Sequence, residues 1–334
     1  MVLKRYLFTA AIASFAVPFI LESASVFADE KSPSVSVSAY VPAYPSTSKD
    51  EHFKENIERN KQRVAGVCAP AYLNDIRQSL YLNIPSYTLR LDNTLEGRVC
   101  SSFTYTVRVG RHWSSHTDGV KGSMETPVGL SKVIIKNFNI RLGNSPFTNT
   151  YDPDGNRVRL PMPHRWMRSL MLATRPVRSS EVVTRCVIHS TTEAHTVGTP
   201  KSHCCIGLRI EDMLDLYGLV VPEQKTGSIT RDRQVPLTLD YRVVEREADS
   251  LILHADVYEK RQDYSAIILQ ELVRAGHDED SIDHTQIASL VESAKMQFDS
   301  AYLDIRRKLA ADEFVSYEDK SRLHYSIEIS DLLR

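Results

Sequence analysis

The stretch VIHSTTEAHTVGTPKSHCCIGLRIED, Val187 to Asp212, is where the chain's architecture can be read most directly. It places His189 sixteen positions ahead of Cys205, and a second histidine, His203, two positions before that cysteine. A thiol is a strong nucleophile only as thiolate. With an ordinary pKa of about 8.5 it needs a neighbouring histidine to take the proton or hold the anion. Residues two apart in extended backbone share a face, so His203 and Cys205 point the same way. His189 must return to them on another segment, and the loop Thr191 to Ser202, with Gly198 and Pro200, suits that return. Types and spacing alone leave three alternatives open: a structural Cys/His pair, a thiol catalyst and a zinc site. The zinc alternative fits poorly, because Cys204 and Cys205 are adjacent, whereas paired zinc cysteines are usually about two to four residues apart.

Downstream of the cysteine, Ile210, Met213, Leu214 and Tyr217 fall at helical spacing, Glu211 and Asp212 favour a first turn, and Gly218 suits an end. Cys205 is therefore expected just ahead of a helix, whose positive end assists a thiolate at short range. Upstream, the period is two. Tyr87, Leu89 and Leu91 alternate with polar residues, as do Phe103, Tyr105, Val107 and Val109, and Val133 to Ile135 supplies another strand. These predict an antiparallel sheet with one buried face. Asp152 to Asn156 lacks the Gly and Glu positions of an EF-hand loop and reads as a turn. Leu237 to Val244 and Leu251 to Tyr258 predict a hairpin closing the sheet. From Lys260 the chain is helical. Tyr264, Ile267, Ile268 and Leu272 mark one helix, and Asp283 with Gln286 caps a second, striped by Ile287, Leu290, Val291, Ala294, Phe298, Tyr302 and Ile305.

At the N-terminus, Lys4 and Arg5 precede an apolar run from Tyr6 to Leu21, and Val26-Phe27-Ala28 resembles a cleavage site. Residues 1–28 are expected to be a secretory signal, so the protein is exported to the periplasm or cell envelope. It meets a membrane only if that signal stays uncleaved. Residues 29–50, rich in Ser, Pro and Val, read as a flexible tether, and 51–78 as a solvated helical lead-in. With 25% charged residues and a net charge of −1, the chain gives no reason to expect nucleic acid as partner. Five cysteines cannot all pair. Cys68 and Cys100, both outside the motif, are the expected disulfide, and a Cys204–Cys205 ring is strained.

The opening stretch resembles the signature of the YkuD-type L,D-transpeptidases, the ErfK/YbiS/YcfS/YnhG group. That signature is a His-Gly or His-Ser pair followed by Ser-His-Gly-Cys-Ile-Arg. Here it reads Ile188-His189-Ser190, then Ser202-His203-Cys204-Cys205-Ile206-Gly207. SMETPVGLSKV (Ser123 to Val133) resembles the family's Thr-Pro-x-Gly-x-Phe strand start, and MPHRWMRS (Met162 to Ser169) its Met-Pro-aromatic segment. The resemblance implies a mainly β fold: an antiparallel sandwich-like or barrel-like catalytic domain over 79–260 and a C-terminal helical extension over 261–334. It further implies peptidoglycan stem peptides as substrate, with a stem amine, water or a lipoprotein lysine as acceptor, and no metal or organic cofactor. Cys205 is then the nucleophile and His189 the base, oriented in part by Ser190. His203 lines the cleft or supports the oxyanion, and the amides of Cys204 and Cys205 hold the tetrahedral oxygen. Trp166 and Arg209 are cleft candidates, and Gly110 to Gly129 borders the cleft. Two residues depart from the pattern. Cys204 replaces a glycine, so Cys204→Gly is expected to retain or improve activity. Gly207 replaces an arginine, with Arg209 as a candidate substitute, and the two departures together leave as the alternative a degenerate relative that binds wall peptides without turnover.

Overall fold

A nine-stranded sheet carries the motif. The computed structural model describes residues 49–68, 73–112, 124–138, 147–151, 155–161, 170–177 and 186–334. The expected signal, nearly all of the tether, and Trp166 lie outside the described residues. In chain order the first elements are α1 (Lys49–Ala65), β1 (Arg77–Asn83), β2 (Thr88–Leu95), β3 (Arg98–Thr106), β4 (Gly129–Phe138), β5 (Phe147–Tyr151), β6 (Arg157–Pro161), β7 (Leu170–Pro176) and β8 (Val187–Ser190). They are followed by β9 (Ile206–Leu208), α2 (Ile210–Leu219), β10 (Gly227–Ser228), β11 (Val235–Asp240), β12 (Val244–Glu247) and β13 (Ser250–His254). The chain finishes with α3 (Tyr264–Arg274), α4 (His284–Ala310), α5 (Tyr317–Ser321) and β14 (His324–Glu328).

The main sheet runs β3-β2-β1-β11-β4-β7-β8-β9, with β10 on β4. The protein is mainly β with a helical C-terminal part. Period two in β2 buries Leu89 and Leu91, and at the next inward position Asn93. Buried Asn93 is satisfied by Gln78 Nε2 at 2.8 Å and Ser101 Oγ at 2.9 Å, as burial of an amide demands. Two pairings are parallel, β1 with β11 and β8 with β9. The two ends of the sheet also meet. Just beyond β3, Arg108 pairs antiparallel with Gly207 of β9, through Arg108 N–H to Gly207 O (2.8 Å) and Gly207 N–H to Arg108 O (2.9 Å). Gly198 N–H to Val107 O and Ser202 N–H to Val109 O extend this seam. The barrel-like expectation thus has a physical basis in a sheet whose first and last strands join at the motif.

Two sequence expectations need correction. The expected hairpin of Leu237 to Val244 with Leu251 to Tyr258 does not form as one unit at the edge of the main sheet, because its first part, β11, lies inside that sheet between β1 and β4. β12 and β13 pair with each other and with the C-terminal β14 in a separate three-stranded sheet, so the strand that completes them lies about seventy residues on. The lead-in helix is not merely solvated. Asn56, Asn60, Val64 and Ala65 of α1 are buried, Arg63 pairs with Asp215 of α2, and Cys68–Cys100 anchors the helix's exit to β3. A Cβ on Gly218 would meet Asn60 Nδ2 at 2.6 Å, so this glycine lets α1 approach α2 rather than ending the helix. The long helix fulfils its sequence pattern. Asp283 accepts from Thr285 N and Gln286 N, and Ile287, Val291, Ala294, Phe298 and Ile305 are buried.

The carbonyl end of α2 is held by a buried lysine. Lys136 of β4 donates to Val220 O at 2.6 Å and Val221 O at 3.3 Å, and its Nζ lies 4.7 Å from the Tyr217 ring centroid. Burial lowers its pKa to about 7. Lys136→Met strips both carbonyls of their donor, and we expect a loss of about 2 kcal/mol, read as a melting midpoint several degrees lower.

Candidate active site at the seam

The parallel register of β8 and β9 assembles the site. Ile188 pairs with Ile206, His189 with Gly207 and Ser190 with Leu208. Continuing that register backwards sets Val187 beside Cys205 and Cys186 beside Cys204. Side chains at paired positions share a face and alternate along the strand, so His189, Gly207 and Cys205 belong to one face. Across the seam the row reads Met171, His189, Gly207, Arg108.

His189 is buried, and its Nδ1 lies 2.6 Å from the Ser190 carbonyl oxygen. A carbonyl can only accept, so Nδ1 carries the proton and Nε2 of the neutral ring is left as the acceptor. Burial, reinforced by the Arg108 charge, lowers the His189 pKa to about 4, with the Ser190 hydrogen bond opposing. Cys205 is half-buried and lies outside both disulfides. Burial pushes its thiol up, while a backbone hydrogen bond with Val187 and the Arg108 charge pull it down. These shifts favour a thiol at Cys205 and a neutral imidazole at His189.

Cys204 is disulfide-bonded to Cys186. Its φ is 71°, in the left-handed region that glycine occupies without strain. The cross-link and two hydroxyls hold it there. Thr126 Oγ1 donates to Cys204 O at 3.0 Å, accepts from Gly110 N–H at 2.8 Å, and Ser202 Oγ donates to Cys205 O at 2.7 Å. Thr126 N–H in turn donates to Tyr258 Oη at 3.0 Å. His203 is exposed, with Nε2 2.9 Å from Arg111 Nη2. Arg209 is exposed at the N-cap of α2. The guanidinium over Gly207 belongs instead to Arg108. His195, in the loop between the two motif segments, is half-buried against Phe314, with ring centroids 6.4 Å apart.

The C-terminal part braces the loop between the two motif segments. Lys201 Nζ donates to Leu309 O at the end of α4, at 2.6 Å. Among the described residues no group of three or more His, Cys, Asp or Glu is placed to hold a metal. Cys204, which the zinc alternative needs, has spent its thiol in the disulfide.

Arg108, Thr126, Glu193 and Cys186 did not stand out in the sequence. Arg108 sits in the polar register of its strand and looked like an ordinary outward residue. Cys186 carried a usable signal. It precedes the histidine strand by one residue, as Cys204 precedes Cys205, so pairing the two motif segments in parallel puts the cysteines side by side.

Comparison with known families settles the kinship of this region. Residues 78–229 match the family model of YkuD, the L,D-transpeptidase catalytic domain. This segment is a YkuD domain. Among solved structures the chain is similar to the helical cell shape determining protein Pgp2 from Campylobacter jejuni, at 14% identity over 60% of this chain and 57% of that one, with a TM-score of 0.33. It is similar to L,D-transpeptidase 1 from Mycobacterium tuberculosis at 15% identity, covering 49% of this chain and 62% of that one, with a TM-score of 0.24. For the L,D-transpeptidase from Xylanimonas cellulosilytica the values are 13%, 54%, 76% and 0.28. The chain thus spans less than three fifths of the Pgp2 chain. A search of curated proteins finds no match. The YkuD domain covers β8, β9 and α2, and so includes every motif residue discussed above.

Proposed function

We propose that the YkuD domain is a peptidoglycan L,D-transpeptidase of an exported protein. His189 Nε2 takes the Cys205 proton as sulfur attacks the carbonyl that joins the L-centre of meso-diaminopimelate to D-alanine in a tetrapeptide stem. The amides of Cys204 and Cys205 hold the tetrahedral oxygen, a contribution of about 3 kcal/mol per donor in other acyl-transfer enzymes. The imidazolium returns the proton to the leaving nitrogen. D-alanine departs and a Cys205 thioester remains. The side-chain amine of a second stem then attacks, restoring the thiol and forming a 3→3 cross-link. Water in its place gives an L,D-carboxypeptidase, and a lipoprotein lysine an anchoring enzyme. Ser190 orients the base through its carbonyl, His203 lines the cleft, and Trp166 and Arg209 are carried as contacts to the stem.

The observation that carries this reading is the fixed His189 tautomer, which offers an unprotonated Nε2 on the face of the sheet that bears the cysteine outside both disulfides. Incubation with purified disaccharide-tetrapeptide, followed by mass, tests it. A dimer lacking one D-alanine is the expected product, a shortened monomer indicates water as acceptor, and unchanged substrate overturns the reading. His189→Ala is expected to slow thioester formation about a hundredfold or more, measured as single-turnover release of D-alanine.

A further inference from the structure

Gly207 leaves a gap in the row of side chains that crosses the seam, and Arg108 fills it. The Cα atoms of Arg108 and His189 flank Gly207 on either side, each about 5 Å away across a strand pairing, so an arginine laid over the glycine reaches toward the histidine. A Cβ at Gly207 would fall 2.6 Å from Arg108 Nε and 2.7 Å from its Cγ, so no side chain fits there while Arg108 keeps its place. The guanidinium is held from the far side. Its Nη1 donates to Glu193 Oε2 at 2.6 Å and to Thr196 Oγ1 at 3.1 Å, both in the loop between the motif segments. Its Nε is buried with no hydrogen-bond partner among the described residues.

We propose that Arg108 is the positioning residue of the Cys205–His189 pair, a fixed positive charge that favours the thiolate, and that Gly207 is glycine in order to admit it. The catalytic meaning of this rests on the transpeptidase reading above. The charge acts on both partners, drawing the Cys205 thiol down and opposing protonation of His189. Among the described residues the ionisable groups facing this arrangement include His189 from β8, and from the motif loop Glu193, with Lys201 and His195 behind it. Glu193 is the counterweight, since it is half-exposed and partly neutralises Arg108.

The test is the pH dependence of Cys205 alkylation by iodoacetamide on the full chain, located by peptide mass, with non-reducing melts to confirm folding. This readout needs no peptidoglycan. If tetrapeptide is not turned over while alkylation behaves as expected, the transpeptidase reading fails and the placement of the charge stands. Arg108→Met is expected to move the alkylation profile to higher pH by about one unit, slowing the reaction about tenfold at pH 8, and Arg108→Lys to recover most of that rate. Glu193→Gln is expected to move the profile the other way, since it removes the counterweight and leaves Arg108 in place. Moving the arginine, as Arg108→Ala with Gly207→Arg, is expected to restore the profile toward that of the unaltered protein. An unchanged profile in folded Arg108→Met, or a Glu193→Gln profile that is unmoved or moves to higher pH, overturns the proposal. Should Arg108→Met not fold, the Glu193→Gln result decides alone.

Discussion

Cys205→Ala is expected to give a folded protein that forms no thioester and no carbapenem adduct. The side chain is half-buried and belongs to neither disulfide, so its loss removes little packing and no cross-link. No neighbour can take over. Cys204 is adjacent, but its sulfur is bonded to Cys186 and has no thiol to offer. Removal of a nucleophile in comparable acyl-transfer machinery leaves only the binding and oxyanion contributions, a drop of roughly a millionfold in turnover. Family members with this nucleophile are acylated by carbapenems, so mass mapping of the adduct is a direct readout. An adduct on Cys204, or D-alanine release that survives loss of Cys205, shows that the register and the mechanism assigned here are wrong.

The second large effect reverses an expectation drawn from sequence. From the motif alone, Cys204→Gly restores a family glycine and should be harmless or helpful. The disulfide changes the sign. Glycine relieves left-handed strain at a φ of 71°, worth on the order of 1 kcal/mol, but removal of the Cys186–Cys204 link opens a loop of 18 residues, for which chain entropy gives about 3 kcal/mol. The cross-link also ties the residue before the β8 histidine strand to the residue before Cys205. Cys186→Ser combined with Cys204→Gly is therefore expected to be about 2 kcal/mol less stable in a non-reducing melt. Turnover is expected to fall about tenfold or more as the nucleophile loosens against its base. A double variant with unchanged melting and unchanged D-alanine release shows that the bond contributes neither stability nor positioning.

Local patterns in the sequence were reliable wherever one element decides its own structure. The stripe of α4 and its Asp283 cap, the alternation in β2, and α2 from Ile210 were all legible, because periodicity and capping act over a few residues. The placing of Cys205 just ahead of that helix was not, since β9 stands between them. So was Cys68–Cys100. What failed were features written in two distant places at once. The second partner of β13 is β14, far along the chain, so β13 was assigned to the nearer sheet. Arg108 and Gly207 meet because the sheet curls, and neither residue signals the other. The docking of α1 rests on buried Asn56 and Asn60, which hydrophobic periodicity reads as solvent-facing.

The strand order has a consequence for modularity. The stretch that matches the YkuD model stops at residue 229, yet β11, Val235–Asp240, lies between β1 and β4 in the middle of the sheet. Cut at that boundary, the matched stretch holds β3-β2-β1 and β4-β7-β8-β9 as two half-sheets whose inner edges, β1 and β4, have lost the strand between them. What still joins them is the seam that runs from Val107 and Gly198 through Arg108 and Gly207 to Arg111 and Ser202, with side-chain links such as Gln78 to Leu219, and that seam lies beside the motif. The region of family likeness and the cooperative folding unit are thus different objects. The unit that can be moved between proteins runs on at least through β11, and it brings the first hold of the C-terminal part with it.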